Sequence, residues 1–188
     1  MSFAIFGGSF NPLHLGHMYI ADEVRAALGY DSIIFIPSNI SAHKPSYDIV
    51  SPGDRLEMLI YASQGINWME VDDREIKRGG VSYSIDTVKE LYNERIPEEK
   101  PGLIIGDDLV SGLEKWKDRE TLMDMVNLII VRRAKGSISV PFPFKVVNTL
   151  SLEISSSDIR RRIAENRPFQ YLIPEKIFHY IDEKGLYR

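Results

Sequence analysis

The sequence predicts an α/β fold: a single Rossmann-like, doubly wound domain over residues 1–188, built on a mostly parallel sheet. Three observations carry this. Short β-branched runs alternate with amphipathic stretches along the chain, the pattern of right-handed βαβ units. The run Leu128-Ile129-Ile130-Val131 is apolar without alternation, as suits a strand buried on both faces. No repeat, low-complexity tract or linker breaks the series.

The elements follow in order. Residues 3–6 read as a first strand, ended by Gly7-Gly8. Residues 15–28 read as a helix with Ile20, Val24, Ala27 and Leu28 on one face and Gly29 as its stop. Residues 32–36 form a strand stopped by Pro37, and residues 39–49 a polar loop. Ser51-Pro52-Gly53-Asp54 opens a helix: Ser51 caps, Pro52 suits the first helical position, and Asp54 favours the positive end. Leu56, Leu59 and Ile60 are its expected core face, and residues 68–71 the next strand. A helix over 84–94, capped by Ser84, carries Ile85, Val88, Leu91 and Tyr92. Strands at 103–106, 128–131 and 145–147 and helices at 109–116, 121–125, 155–165 and 174–184 complete the series. The loops after Phe6, Ile36, Ile105 and Val131 should share the ligand-binding face beyond the strands' carboxyl ends.

Composition excludes several classes. With 44% hydrophobic and 27% charged residues the chain is too apolar and too mixed in charge to be disordered. No apolar run nears the roughly 18 residues of a membrane span. The start, Met1-Ser2-Phe3-Ala4, has no basic region and no cleavage pattern, so no secretory signal is expected. Absent cysteine excludes disulfides and thiol catalysis and fits a cytoplasmic protein. A net charge of −4 argues against broad nucleic-acid binding.

Two segments carry chemistry. In Gly7-Gly8-Ser9-Phe10-Asn11-Pro12-Leu13-His14-Leu15-Gly16-His17, glycines after a strand let backbone N–H groups approach a phosphate. The helix that follows adds a partial positive charge. His14 and His17 are three apart, on one side of the first turn, with Gly16 leaving room between them. Singly, these residues suit an ordinary glycine turn with a surface histidine; together they make a phosphate site. The metalloprotease, P-loop and dinucleotide fingerprints are all absent, and no resident metal is expected at the histidines. Near the other end, Ile154-Ser155-Ser156-Ser157-Asp158-Ile159-Arg160 offers hydroxyls, helix-start N–H groups and a guanidinium fork. By itself it also fits a simple N-cap before a basic face, where Arg161 and Arg162 are read as surface.

The pairing of G-G-S-F-N-P-x-H-x-G-H with I-S-S-S-x-I-R resembles the nucleotidylyltransferase superfamily. His43-Lys44, Ser82-Tyr83-Ser84-Ile85-Asp86-Thr87 and Ile104-Ile105-Gly106-Asp107-Asp108 followed by Trp116 resemble bacterial nicotinate-nucleotide adenylyltransferases, over essentially the whole chain. The resemblance implies adenylyl transfer from ATP, carried with Mg2+, to nicotinate mononucleotide, giving nicotinate adenine dinucleotide and pyrophosphate in NAD biosynthesis. The same superfamily offers nicotinamide mononucleotide or phosphopantetheine as other acceptors, and a nucleotide sensor without turnover as another class. The resemblance implies His14, His17 and Arg160 as catalytic residues. It implies Gly8, Ser9, Phe10, Gly106, Asp108, Ser156 and Ser157 for ATP, and Lys44, Thr87 and Trp116 for the acceptor. Of these, Trp116 also fits a core position and His43-Lys44 a solvated loop. No membrane or nucleic-acid partner is expected, and a homo-oligomer is compatible. The chain departs from the family pattern at Asn11, Leu13, the Ser41-Ala42 before His43, and Arg133-Ala134-Lys135.

Overall fold

Successive side chains of a strand leave on opposite faces of a sheet, and here both faces are apolar. Phe3 and Ile5 of β1 (Phe3–Gly8) enter one core, Ala4 and Phe6 the other. Ile34 and Ile36 of β2 (Ser32–Pro37) join the first core, Ile33 and Phe35 the second. Leu128 and Ile130 of β7 (Asn127–Arg132) oppose Ile129 and Val131 in the same way. A sheet of this kind needs helices on both sides. The computed structural model describes residues 2–42, 50–132 and 139–188, and it provides them.

One face is covered by α1 (Leu15–Leu28), α2 (Pro52–Ser63), α6 (Ser156–Ala164) and α7 (Glu175–Lys184). The other is covered by α4 (Ser84–Arg95), a 3-10 segment (Asp107–Lys115) and α5 (Arg119–Met125). The six-stranded sheet has the order β4-β2-β1-β6-β7-β8, with β4 at Met69–Val71, β6 at Gly102–Gly106 and β8 at Phe144–Asn148. Every pairing in it is parallel. The chain winds outward from β1 through β2 to β4, then crosses back to β6 and winds the other way. The reversal lies between β1 and β6, where such sheets open their ligand crevice. The pairing shows the opening: β1 matches β2 from Phe3 to Gly8, but matches β6 only at Ala4–Gly102 and Ile5–Leu103.

Local structure follows the expected signals at most boundaries. Gly29 and Gly185 end α1 and α7 in the left-handed conformation. Ser51 and Ser155 accept from the N–H groups of Asp54 and Asp158, satisfying donors that a helix start leaves over. Several details differ. The core face of α2 is Arg55, Met58, Leu59 and Ala62, one residue out of phase with the expectation, and Ile60 is exposed. On α1, Ala21 is buried and Ala27 is exposed. Tyr83, not Ser84, is the N-cap of α4, and no side chain caps it. The loop expected at 39–49 begins with β3 (Ile40–Ser41), paired in parallel with β5 (Val81–Ser82). The short helix α3 (Arg74–Arg78) carries no signal in the apolar spacing.

Candidate active site

The segment between β1 and α1 makes a tight turn in which Phe10 takes a left-handed φ of 46° and buries its ring. A Cβ on Gly8 would come within 3.1 Å of that ring, so the glycine lets the aromatic ring fold back under the strand end. The Phe10 ring then meets the imidazole of His17 edge-on at 5.2 Å. The Asn11–Pro12 bond is cis.

His14 and His17 stack, with ring centroids 3.7 Å apart and planes inclined by 27°. Gly16 makes the space: a Cβ there would stand 3.0 Å from Nδ1 of His14. The His14 backbone N–H donates to Nδ1 of His17 at 3.3 Å. That bond needs the lone pair on Nδ1, so the proton of the neutral ring sits on Nε2. His17 can therefore present an N–H donor on the side away from its own helix start.

The carbonyls of this turn are held. Ser9 O accepts from Nη1 of Arg55 at 2.8 Å, Asn11 O from Nη1 of Arg160 at 2.8 Å, and Pro12 O from Oγ of Ser156 at 2.8 Å. Two of these donors come from the first turns of α6, 144 and 149 residues along the chain from their acceptors. The start of α6 is thus fastened to the start of α1. Each helix N-terminus carries roughly half a positive charge, and carbonyl dipoles that would oppose an anion are tied to donors. The two stacked imidazoles, the Ser157 hydroxyl and the Arg160 guanidinium are thereby set around this turn. Nη2 of Arg160 lies 3.3 Å from Oγ of Ser157, which sets the fork beside that hydroxyl. Arg161 and Arg162 instead pair with Asp158, in keeping with their surface reading.

Gly106, Asp107 and Asp108 lie across the crevice, at the carboxyl end of β6. Trp116 and Thr87 lie on the far face of the sheet. Trp116 is 9% exposed and belongs to the core with Ile85, Val88 and Leu113. Thr87 differs from its expected role. Its hydroxyl donates to Oε1 of Glu75 at 2.6 Å and accepts from Nη2 of Arg78 at 3.1 Å, and the residue is buried. The hydroxyl proton is spent inside the protein, where it joins α3 to the first turn of α4. Burial pushes the Glu75 carboxyl up, against the hydroxyls of Thr87 and Ser82 that favour its charge. Lys44, with His43, and Arg133 lie outside the described residues.

Sequence reading missed three contributors. Arg55 is buried beneath the turn, Glu75 holds Thr87, and the Tyr187 hydroxyl donates to Oδ1 of Asn11 at 2.8 Å. A signal existed for the first: 55, 58, 59 and 62 have helical core spacing, with arginine at the head.

A cytidylyltransferase-like family model matches residues 5–162. A probable nicotinate-nucleotide adenylyltransferase of Borrelia turicatae is 38% identical over 188 residues, covering 100% of this chain and 98% of the relative. The nicotinate-nucleotide adenylyltransferase of Bacillus subtilis is 37% identical over 183 residues, covering 97% and 96%. Among solved structures, the Plasmodium falciparum nicotinic acid mononucleotide adenylyltransferase complexed with NaAD superposes with a TM-score of 0.80 at 20% identity, covering 99% of this chain and 97% of that one. That likeness is one of fold; the relatives aligned from end to end carry the family. The parallel sheet, the braced turn at its reversal point and these full-length relatives agree: the chain belongs to the nicotinate-nucleotide adenylyltransferases, within the cytidylyltransferase-like family.

Proposed function

We propose that this protein joins ATP to nicotinate mononucleotide, releasing pyrophosphate and forming nicotinate adenine dinucleotide, the reaction for which its full-length relatives are named. One observation carries the phosphate half of this reading. The β1–α1 turn has its Ser9, Asn11 and Pro12 carbonyls each held by a donor, where two helix starts meet at the sheet's reversal point.

In the reaction the acceptor's 5′-phosphate oxygen attacks the α-phosphorus of ATP. The bond from that phosphorus to the bridging oxygen breaks, and pyrophosphate leaves with the electron pair. The nucleophile is already anionic at neutral pH, so no side chain need remove a proton. The work left to the protein is positioning and stabilising negative charge as it moves to the leaving group. His17, through Nε2–H, and His14 serve the triphosphate from the start of α1; Ser157, Arg160 and the Ser156 backbone N–H serve it from α6; Gly8, Ser9 and Phe10 offer backbone N–H groups. Gly106 and Asp108 border the nucleoside, and the Trp116 indole stacks on the acceptor's pyridine ring. Lys44 completes the acceptor's phosphate contacts in this reading. ATP enters with its magnesium ion, which rides on the substrate's own oxygens. Imidazole, hydroxyl and guanidinium donors suit phosphate oxygens rather than the hard cation itself.

Pyrophosphate release measured in turn with nicotinate mononucleotide, nicotinamide mononucleotide and phosphopantetheine tests the reading. Turnover should be far greatest with the nicotinate acceptor. Comparable kcat/KM for the acid and the amide would overturn the acceptor assignment and leave adenylyl transfer standing.

A further inference from the structure

Arg55 is 1% exposed, and no carboxylate pairs with it among the described residues. Its guanidinium lies instead against main-chain carbonyls. Nη1 donates to Ser9 O at 2.8 Å and Nη2 to Asn39 O at 3.1 Å, while Nε is buried without a hydrogen bond. Burial lowers its pKa from the ordinary arginine value, yet an arginine remains charged in a protein. A buried charge that meets only main-chain carbonyls among the described residues carries a desolvation cost that stability alone does not explain. The charge at this place calls for another reason.

We infer that Arg55 is a positioning residue of the phosphate site: it pins the Ser9–Phe10 peptide from beneath and locks the turn after β1 to the chain leaving β2. The inference rests on the reading that this turn receives the triphosphate. A trans peptide is planar, with its C=O and N–H pointing in opposite directions. Holding the Ser9 carbonyl on the guanidinium therefore aims the Phe10 N–H away from α2, and keeps a carbonyl oxygen from facing the anion. The second arm reaches Asn39, whose own N–H donates to Ser82 Oγ at 2.9 Å and whose Nδ2 donates to Gly80 O at 2.9 Å. Arg55 thus fixes three segments to one another: the turn after β1, the exit from β2 and the approach to α4.

Two variants and one measurement on the parental protein test this. Arg55→Met keeps an unbranched apolar stem and removes the guanidinium with its charge; Arg55→Lys keeps the charge but cannot reach both carbonyls with one fork. Calorimetric binding of inorganic tripolyphosphate reads the site without any acceptor, so failure of the acceptor assignment does not confuse the result. We expect Arg55→Met, which leaves the Ser9 and Asn39 carbonyls without their donor, to melt lower, and, folded, to bind tripolyphosphate roughly 10- to 100-fold more weakly, the worth of a charge-assisted bond. Arg55→Lys should fall between. KM for ATP should rise with the same order, with KM for the acceptor changed less. A folded Arg55→Met or Arg55→Lys with parental tripolyphosphate affinity overturns the inference. So does a variant whose only change is a lower melting temperature. If neither variant folds, amide exchange in the parental protein decides. Tripolyphosphate should strongly slow exchange of the Phe10 N–H, and binding that leaves this amide unprotected rejects the pinned-peptide geometry.

Discussion

His17 has two ring nitrogens, and the backbone of His14 already uses one. The bond from the His14 N–H to Nδ1 leaves Nε2–H as the donor, and stacking on His14 at 3.7 Å holds the ring plane. A donor fixed before substrate arrives costs no reorganisation when charge builds on the leaving group. His17→Ala should lower kcat by about 10²–10³-fold, the usual cost of one such preorganised donor. Acceptor KM should change little; steady-state assays at saturating ATP would show it, and near-parental turnover would remove His17 from the mechanism. Arg160 plays two parts, since Nη1 holds Asn11 O and the fork sits beside Ser157. Lysine offers a point charge without the fork, so Arg160→Lys should raise the ATP KM by about tenfold or more. Arg161→Lys, on an exposed pair with Asp158, should leave it unchanged. Equal effects at the two positions would indicate disturbance of α6 rather than of the site.

Among the elements, those with enough periodic residues declared themselves in the sequence. The strands at β2 and β7 are unbroken apolar runs, and α1, α4 and α7 each have several turns and a terminating signal. The β3–β5 pair spans two residues on each side and α3 spans five, too few for either period to show. The candidate site divides in the same way. The glycine-histidine turn and the serine cap were legible because their chemistry is local. Arg55 and Glu75 were not, because a charged residue in an amphipathic stretch reads as a solvated face, and only the fold shows that one faces inward. The motif finds Thr87 but not Glu75, the partner that takes its proton. The seam between β1 and β6 gives an element-scale test. A Cβ on Gly102 would lie 2.7 Å from each of Ala4 Cβ, Ile129 Cδ1 and Tyr30 Oη. Gly→Ala elsewhere can stabilise by about 0.4–1 kcal/mol through the unfolded chain, but overpacking costs about 1–3 kcal/mol. The Ala4 methyl sits on the neighbouring strand and cannot turn aside. Gly102→Ala should therefore lower stability in a denaturant melt, and an unchanged or higher midpoint would contradict this packing.

At the scale of the molecule, opposing carboxyl groups shape the response to pH. Asp54 lies on α2 and Tyr180 on α7; the phenol donates to Oδ1 of Asp54 at 2.8 Å and fastens the closing helix to the sheet's helical layer. The Ser51 hydroxyl, chiefly, holds the Asp54 carboxyl below its usual range; partial burial opposes this and Tyr180 assists it. A carboxyl with a lowered folded pKa contributes stability above its unfolded value and loses it as pH falls through the folded one. Glu75, between α3 and α4, behaves oppositely. Burial raises its pKa, with Glu90 adding to the rise and Thr87, Ser82 and Arg78 opposing it. The stability linked to Glu75 is greatest below the unfolded value of 4.5 and is lost as pH rises through the raised folded value. The parental protein therefore gives up stability at acid pH through Asp54 and, on the neutral side, carries the cost of ionising Glu75. Glutamine at position 75 can still accept from Thr87 and has no proton to lose. Glu75→Gln should thus gain on the parental protein as pH climbs from 5 to 8, while Tyr180→Phe should melt lower at pH 7 and gain nothing over that range. The measurement is the melting temperature of all three proteins across that window. A Glu75→Gln difference that stays flat, or that shrinks as pH rises, would mean the carboxylate is already comfortable in its buried place, held by Arg78 and the two hydroxyls more firmly than burial resists.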